Sequence, residues 1–299
     1  MIVCDAPGSP LSPRAIPQPA SSPRGSALFA AMLPSATTLL AAEEGGGFHA
    51  PTLDEFFPPS FLFEGTPFEM NRITLVRLAA VVLLTLFFVA AARNPKLVPS
   101  RMQSLGEMAV DFVRRQIAIE VLGERLGRRY APLLTFLFFG VFFMNITGVI
   151  PFLNIAGSSV IGVPLLFALI AYIGFVYAGI KEQGAGHFFK GQLMPAGVPK
   201  VLYVLLTPIE FLSVFVLRPA TLTIRLLANM LAGHMLLVMC FGATHFFFFE
   251  MTGAMQAMGA VTLVAGLAVT LFEIFIAALQ AYIFTILTTV YIQLSVADH

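Results

Sequence analysis

One guanidinium sits deep in an apolar run. Arg225 lies within VLRPATLTIRLLANMLAGHMLLVM, and no Lys or Arg follows it through His299. At membrane depth such a charge costs about 3 kcal/mol on insertion scales. Arg cannot shed that cost by deprotonating, because its pKa exceeds about 12. A fixed charge kept in such a place points to ion or proton handling. The other polar groups nearby are few: Asn229, His234, Glu273 and Gln280, with Glu210 and Arg218 upstream. His234 and Glu273 titrate, so both could pass protons on where water reaches them. Arg225 holds its protons, but it attracts a carboxylate and favours the ionised form. A fixed cation between two proton routes would block a direct leak.

Each residue also has a plainer reading. His234 could be a satisfied core histidine, and Asn229 and Gln280 could be helix–helix hydrogen-bond partners. Arg218 precedes Pro219 and could snorkel to the inner interface, near Glu210 and Lys200. Glu273 is hardest to explain this way, since a lone carboxylate in a membrane helix is expensive. His245, beside the run FFFFE, reads as surface.

Helical phase sorts these groups. Arg218 and Arg225 are a heptad apart, within about 20° on an ideal helix, and Asn229 follows one turn later. His234 falls on nearly the opposite face from Arg225. Downstream, Gly259, Gly266, Glu273 and Gln280 recur every seven residues as one stripe. In an antiparallel hairpin centred near residue 253, Arg225 falls level with Gln280, Asn229 with Ala277 and His234 with Glu273. This gives two layers, with the His/Glu layer about 10–13 Å nearer the outside. Straight arms cannot aim both Arg225 and His234 at the second arm. The expectation is that His234 faces the interior and Arg225 faces an element outside the hairpin.

Composition dictates the elements that must position these groups. The 299 residues are 58% hydrophobic and 11% charged, with a mean hydropathy of +0.88. Soluble domains carry about 25% charge, so this is an all-α, multi-pass membrane protein. A net charge of +1 leaves no nucleic-acid footprint. Cys4 and Cys240 suggest neither a disulfide framework nor a metal site, and the histidines are scattered. No Walker loop, G-x-S-x-G or H-E-x-x-H motif occurs, so no catalytic nucleophile and no cofactor are expected.

Residues 1–49 read as an N-terminal extension. Its first 31 residues, rich in Pro, Ser and Ala, suit a disordered tail or a stretch ahead of an internal start at Met32, with a transit-like segment as the third reading. The membrane domain is expected over 50–299. It opens on a net acidic stretch holding Asp54, Glu55, Glu64 and Glu69. A first span at 73–92 is followed by Arg93, Lys96 and Arg101, which places the N-terminus outside and the next loop inside. Residues 100–129 read as an amphipathic helix on the inner surface, with Leu105, Met108, Ala109, Phe112, Ile119 and Leu122 as its apolar face. Spans two and three fall at 130–152 and 160–180, and Lys181, Lys190 and Lys200 mark an inner loop. The runs 201–249 and 251–297 are each about 65 Å long as helices, twice the ~30 Å hydrocarbon core. They therefore read as a long oblique hairpin, for five spans in all. Splitting either run would give six or seven, but no polar turn breaks 251–297.

The motifs resemble a known family. RPATLTIRLLANMLAGHMLL resembles the signature of subunit a of F-type ATP synthases, R-L-x-x-N-M-x-A-G-[HE]. FEIFIAALQAYIFTILTTVYI resembles that family's last helix, in which an ionisable residue stands seven positions before the Gln of L-Q-A-[FY]-[IV]-F. MNITGVIP resembles N-L-x-G-L-I-P on an earlier span. The resemblance covers about 50–297 and has no counterpart for residues 1–31. It implies that Arg225 is the arginine facing a rotating ring of c subunits, with Asn229 and Gln280 as neighbouring amides. It implies that His234 and Glu273 are the exchangeable ionisable pair of the outer half-channel, in the reverse order to some members. An acid that some members of the family carry on the earlier span is absent here, where Gly148 stands. Glu210 lies near a family acidic position, offset by one. With Arg218 it is expected at the inner side or interface.

The resemblance further implies a non-catalytic stator subunit in a bilayer, with the c-ring, the peripheral-stalk b subunits and the rest of the complex as partners and protons as cargo. A bacterial plasma membrane is favoured over a mitochondrial inner membrane. The rival reading, a stand-alone channel or secondary transporter, predicts internal repeats around a broken-helix site, and no such repeat is found.

Overall fold

The computed structural model describes residues 71–93, 100–150, 155–193 and 202–296. The extension at 1–49 and the acidic stretch after it lie outside the described residues. Asn71 caps the first helix, its side chain accepting from the Thr74 N–H. Helix α1 (Arg72–Ala92) is the expected first span. Ser100 caps α2 (Arg101–Asp111), which passes through a π-helical stretch, Phe112–Ile119, into α3 (Glu120–Ile146). The run breaks at Gly123, whose φ of 76° and ψ of 171° suit glycine alone among common residues. Beyond the break the chain doubles back. A side chain at Gly127 would sit 2.7 Å from the Ile119 Cα.

That return gives the amphipathic helix a second, packed face. Its face toward the protein holds Gln103, Gly106, Val113, Ile117 and Ala118, all buried. Leu105, Met108 and Phe112, on the apolar face expected to lie on the inner membrane surface, are exposed at 50, 64 and 42%. Gly106 decides the outcome, because only a residue without a side chain lets α2 press against Ala91 of α1. The apolar stripe is left for lipid.

Helix α4 (Gly162–Gln183) is the third span. The inner loop after it contains a helix not expected from sequence, α5 (Ala185–Leu193), anchored by the fully buried Phe188. Then α6 (Tyr203–Leu212), a π-helical turn (Ser213–Leu217) and α7 (Arg218–Phe249) form one 47-residue run. Gly253, at φ 73°, turns the chain into α8 (Gln256–Val296). Among the described residues, five helices are long and apolar enough to cross a membrane.

Helix α8 packs on α7, α3 and α4, and α4 also packs on α7. The buried core runs between them through Leu134, Leu137, Phe175, Leu226, Phe284 and Ile292. Arg125, Arg128, Arg129, Lys181 and Lys190 gather at one end, where Glu182 bridges Arg125 and Arg129 at 2.7 and 2.6 Å. By charge bias this end is cytoplasmic.

Candidate functional site

Four independent contacts fix the register of the α7–α8 hairpin. Thr244 Oγ1 donates to Thr262 Oγ1 at 3.0 Å. Gly259 admits the Phe248 ring, and Gly266 admits that of Phe241. Gly233 leaves the space that the Glu273 carboxylate fills. All mirror about residue 253, as the sequence predicts. The heptad stripe Gly259, Gly266, Glu273 and Gln280 is buried along its whole length, joined by Ala277.

The two faces of α7 differ in kind. His234 is buried at 5% exposure, and Glu273 opposite is buried at 8%. Arg225 is exposed and flanked by exposed Ile224 and Ala228. Past Arg218 it is the only Lys, Arg, Asp or Glu on α7. Among the described residues no carboxylate forms an ion pair with it. Titratable groups thus face inward and the fixed cation faces out, with the small Ala228 and Ala232 beside it.

Sequence reasoning set Gln280 level with Arg225. The hydrogen bond to Gln280 comes instead from Asn229, one turn further on, whose Nδ2 donates to Gln280 Oε1 at 2.7 Å. Gln280 is only 2% exposed, and its own Nε2 has no protein partner. That orphan donor abuts a cavity lined by Asn145, Asn229, Met230, Glu273, Ile276, Ala277 and Gln280. The cavity has room for about one water. A buried donor beside a water-sized polar space is the normal place for an ordered water.

Asn145 enters this wall from α3, and sequence reasoning noted it only inside MNITGVIP. It is 5% exposed and accepts from Ser158 Oγ at 2.5 Å. At Gly148 the Met230 methyl already occupies the space a side chain would need, 2.5 Å from an ideal Cβ. Arg77 was missed altogether. It lies inside the first span, and the signal was available as the one charge of α1 past its first turn. Its Nε donates to the Gly157 carbonyl at 3.1 Å.

Arg218 does not simply reach for solvent. Its guanidinium is held over the rings of Phe175 and Tyr291, with Cζ 5.5 and 5.2 Å from their centroids, and Nη1 is buried without a partner. Glu210, half-buried on α6, is within electrostatic reach of it. Neither residue joins the Glu273 cavity. His245 lies against Phe249 near the outer turn, as expected for a surface group.

Comparison with known proteins agrees with the motifs. The family model described as ATP synthase A chain matches residues 73–293. A protein named ATP synthase subunit a from Rhodococcus erythropolis is 51% identical over 258 residues, covering 86% of this chain and 93% of that one. Proteins of the same name from Parafrankia sp. and Streptomyces lividans are 41 and 36% identical, covering 89 and 86% of this chain and 90% of each relative.

Proposed function

Because the chain belongs to the ATP synthase A chain family, we propose that it is the membrane-embedded stator subunit that carries protons past a rotating c-ring. Its bacterial relatives favour a bacterial plasma membrane. The observation that carries the reading is the division of chemistry across α7. Exchangeable groups, His234 and Glu273, are buried, with Glu273 lining a small polar cavity, while the non-exchangeable Arg225 stands on the exposed face.

Protons enter from the outer side, pass the His234/Glu273 layer and load a carboxylate on a neighbouring ring subunit. The ring turns until that carboxylate meets Arg225. At about 4 Å and an effective dielectric near 20, the attraction is about 4 kcal/mol. That lowers the proton affinity of the ring carboxylate roughly a thousandfold. The proton then leaves toward the basic, inner end, on the side of Arg218 and Glu210. Asn229 and Gln280 hold the hairpin in register beside the exchange point. Arg225 also bars a direct path, since it neither accepts nor releases a proton. The peripheral-stalk b subunits hold this chain against the torque. ATP itself is made elsewhere in the complex, so the chain has no catalytic residue of its own.

Arg225→Ala tests the reading. Complex carrying the variant assembles, hydrolyses ATP in its head, and makes no ATP when a proton gradient is imposed on proteoliposomes. Proton-coupled synthesis at more than a few per cent of the wild-type rate refutes the role given to Arg225. A stand-alone transporter reading predicts instead that the purified single chain conducts in liposomes.

A further inference from the structure

We propose that Arg77 is a positioning residue of the outer proton path, holding the 155–159 turn so that Asn145 faces the Glu273 cavity. The inference rests on the proton-path reading above and adds to it a residue on the first span. Arg77 is the exception to the charge pattern. It lies on α1 toward the end opposite the basic cluster, inside a helix that is otherwise uncharged past its first turn. Such a charge persists only if something uses it.

A continuous set of contacts runs from Arg77 to the cavity. Arg77 Nε donates to the Gly157 carbonyl at 3.1 Å. The Gly157 N–H donates to the Met144 carbonyl at 3.1 Å and to Thr147 Oγ1 at 3.2 Å. The next residue, Ser158, is fully buried and donates to Asn145 Oδ1. With that oxygen committed, the amide nitrogen of Asn145 is the group left for the cavity it shares with Asn229, Glu273 and Gln280. The turn is pressed tight. A side chain at Gly157 would meet Met144 Sδ at 2.6 Å and Arg77 Cγ at 3.4 Å. Without the guanidinium the turn loses its tether to α1, and Ser158 no longer orients Asn145.

The same place shows a need for water. Arg77 Nη2 and Ser159 Oγ are both buried without a protein partner. Two orphan polar atoms at one turn are satisfied by ordered water, and water at the outer end of α3 is what a proton route to Glu273 requires. Gly148 offers no side chain for the task, and Asn145, held by Ser158, is the α3 residue that lines the cavity.

The test uses the whole complex in proteoliposomes, with ATP synthesis driven by an imposed proton gradient and normalised to assembled enzyme. Arg77→Ala and Ser158→Ala each slow synthesis, the former roughly tenfold, because displacing a group that orients the path is costly. Arg77→Lys keeps a charged donor and recovers most of the rate. The double variant Arg77→Ala/Ser158→Ala is no slower than the slower single, because both act through Asn145. Losses that multiply, as they do at independent sites, overturn the proposal, and so does a wild-type rate in either alanine variant. Where Arg77→Ala fails to assemble, Ser158→Ala and Arg77→Lys decide the matter by the same rates. Arg225→Ala in the same preparation separates the two readings. If it retains synthesis the proton-path reading fails, and if it abolishes synthesis while the Arg77 series is normal, only this inference fails.

Discussion

Gly233→Ala is a one-carbon test of the site. The change should help the helix, because Ala is favoured over Gly by about 1 kcal/mol in a helix interior. Any loss therefore reports a collision rather than a backbone effect. The added Cβ falls within the volume of Glu273 Oε1 and 2.5 Å from the carboxyl carbon. Ordinary carbon contacts are about 3.5 Å, so the carboxyl carbon must retreat by about 1 Å and Oε1, the nearer atom, by more. Overpacking of this kind costs about 1–3 kcal/mol, and a misplacement of ~1 Å at a reacting group can cost about a hundredfold in rate. Proton-driven ATP synthesis in proteoliposomes should fall by ten- to a hundredfold, with assembly and head ATP hydrolysis unchanged. Shortening the acid restores room, so Gly233→Ala/Glu273→Asp should run faster than Gly233→Ala alone. A wild-type rate in Gly233→Ala would show that the Glu273 carboxylate does not work from this position.

Further outcomes follow from other contacts. Asn229→Ala leaves both polar atoms of buried Gln280 without a protein partner. It should lower the stability of the detergent-solubilised complex by about 1–3 kcal/mol, and Gln280→Leu in the same chain should restore part of it, as read by thermal unfolding. Gly123→Ala forces a side chain into the positive-φ bend before the second span. The strain is about 1–3 kcal/mol, and proteolysis or hydrogen exchange over residues 101–122 should rise. Arg218→Met removes the cation from over Phe175 and Tyr291. Thermal stability should fall by about 1 kcal/mol or less, since about 0.5–2 kcal/mol of cation–π attraction is lost while a buried orphan donor is also removed, and Arg218→Lys should lie closer to wild type.

Much of the fold and part of the site were legible in the sequence because the relevant physics is local or strictly periodic. Apolar runs set the five spans, since backbone polar groups in lipid must be satisfied within the helix. The heptad stripe of Gly259, Gly266, Glu273 and Gln280 marked the buried seam, and Thr252-Gly253 marked the turn. Mirror symmetry about residue 253 then brought His234 and Glu273 to one level, and phase put Arg225 on the other face.

What sequence could not supply came from contacts between distant segments. Period alone did not decide which face of residues 101–122 is packed, because the answer hangs on Gly106 meeting Ala91, a helix away. Asn229 rather than Arg225 reaches Gln280, because Arg225 stands on the exposed face of α7. Arg77 and Asn145 became part of the site only when the 155–159 turn folded over α3. Arg225 itself shows both halves of the lesson. Its charge and its apolar surroundings are sequence facts, and they alone made it expensive. That it stands exposed, away from the buried His234 and Glu273, was decided by how α7 packs on α8 and α4, because helix packing chooses which stripe of a helix is hidden.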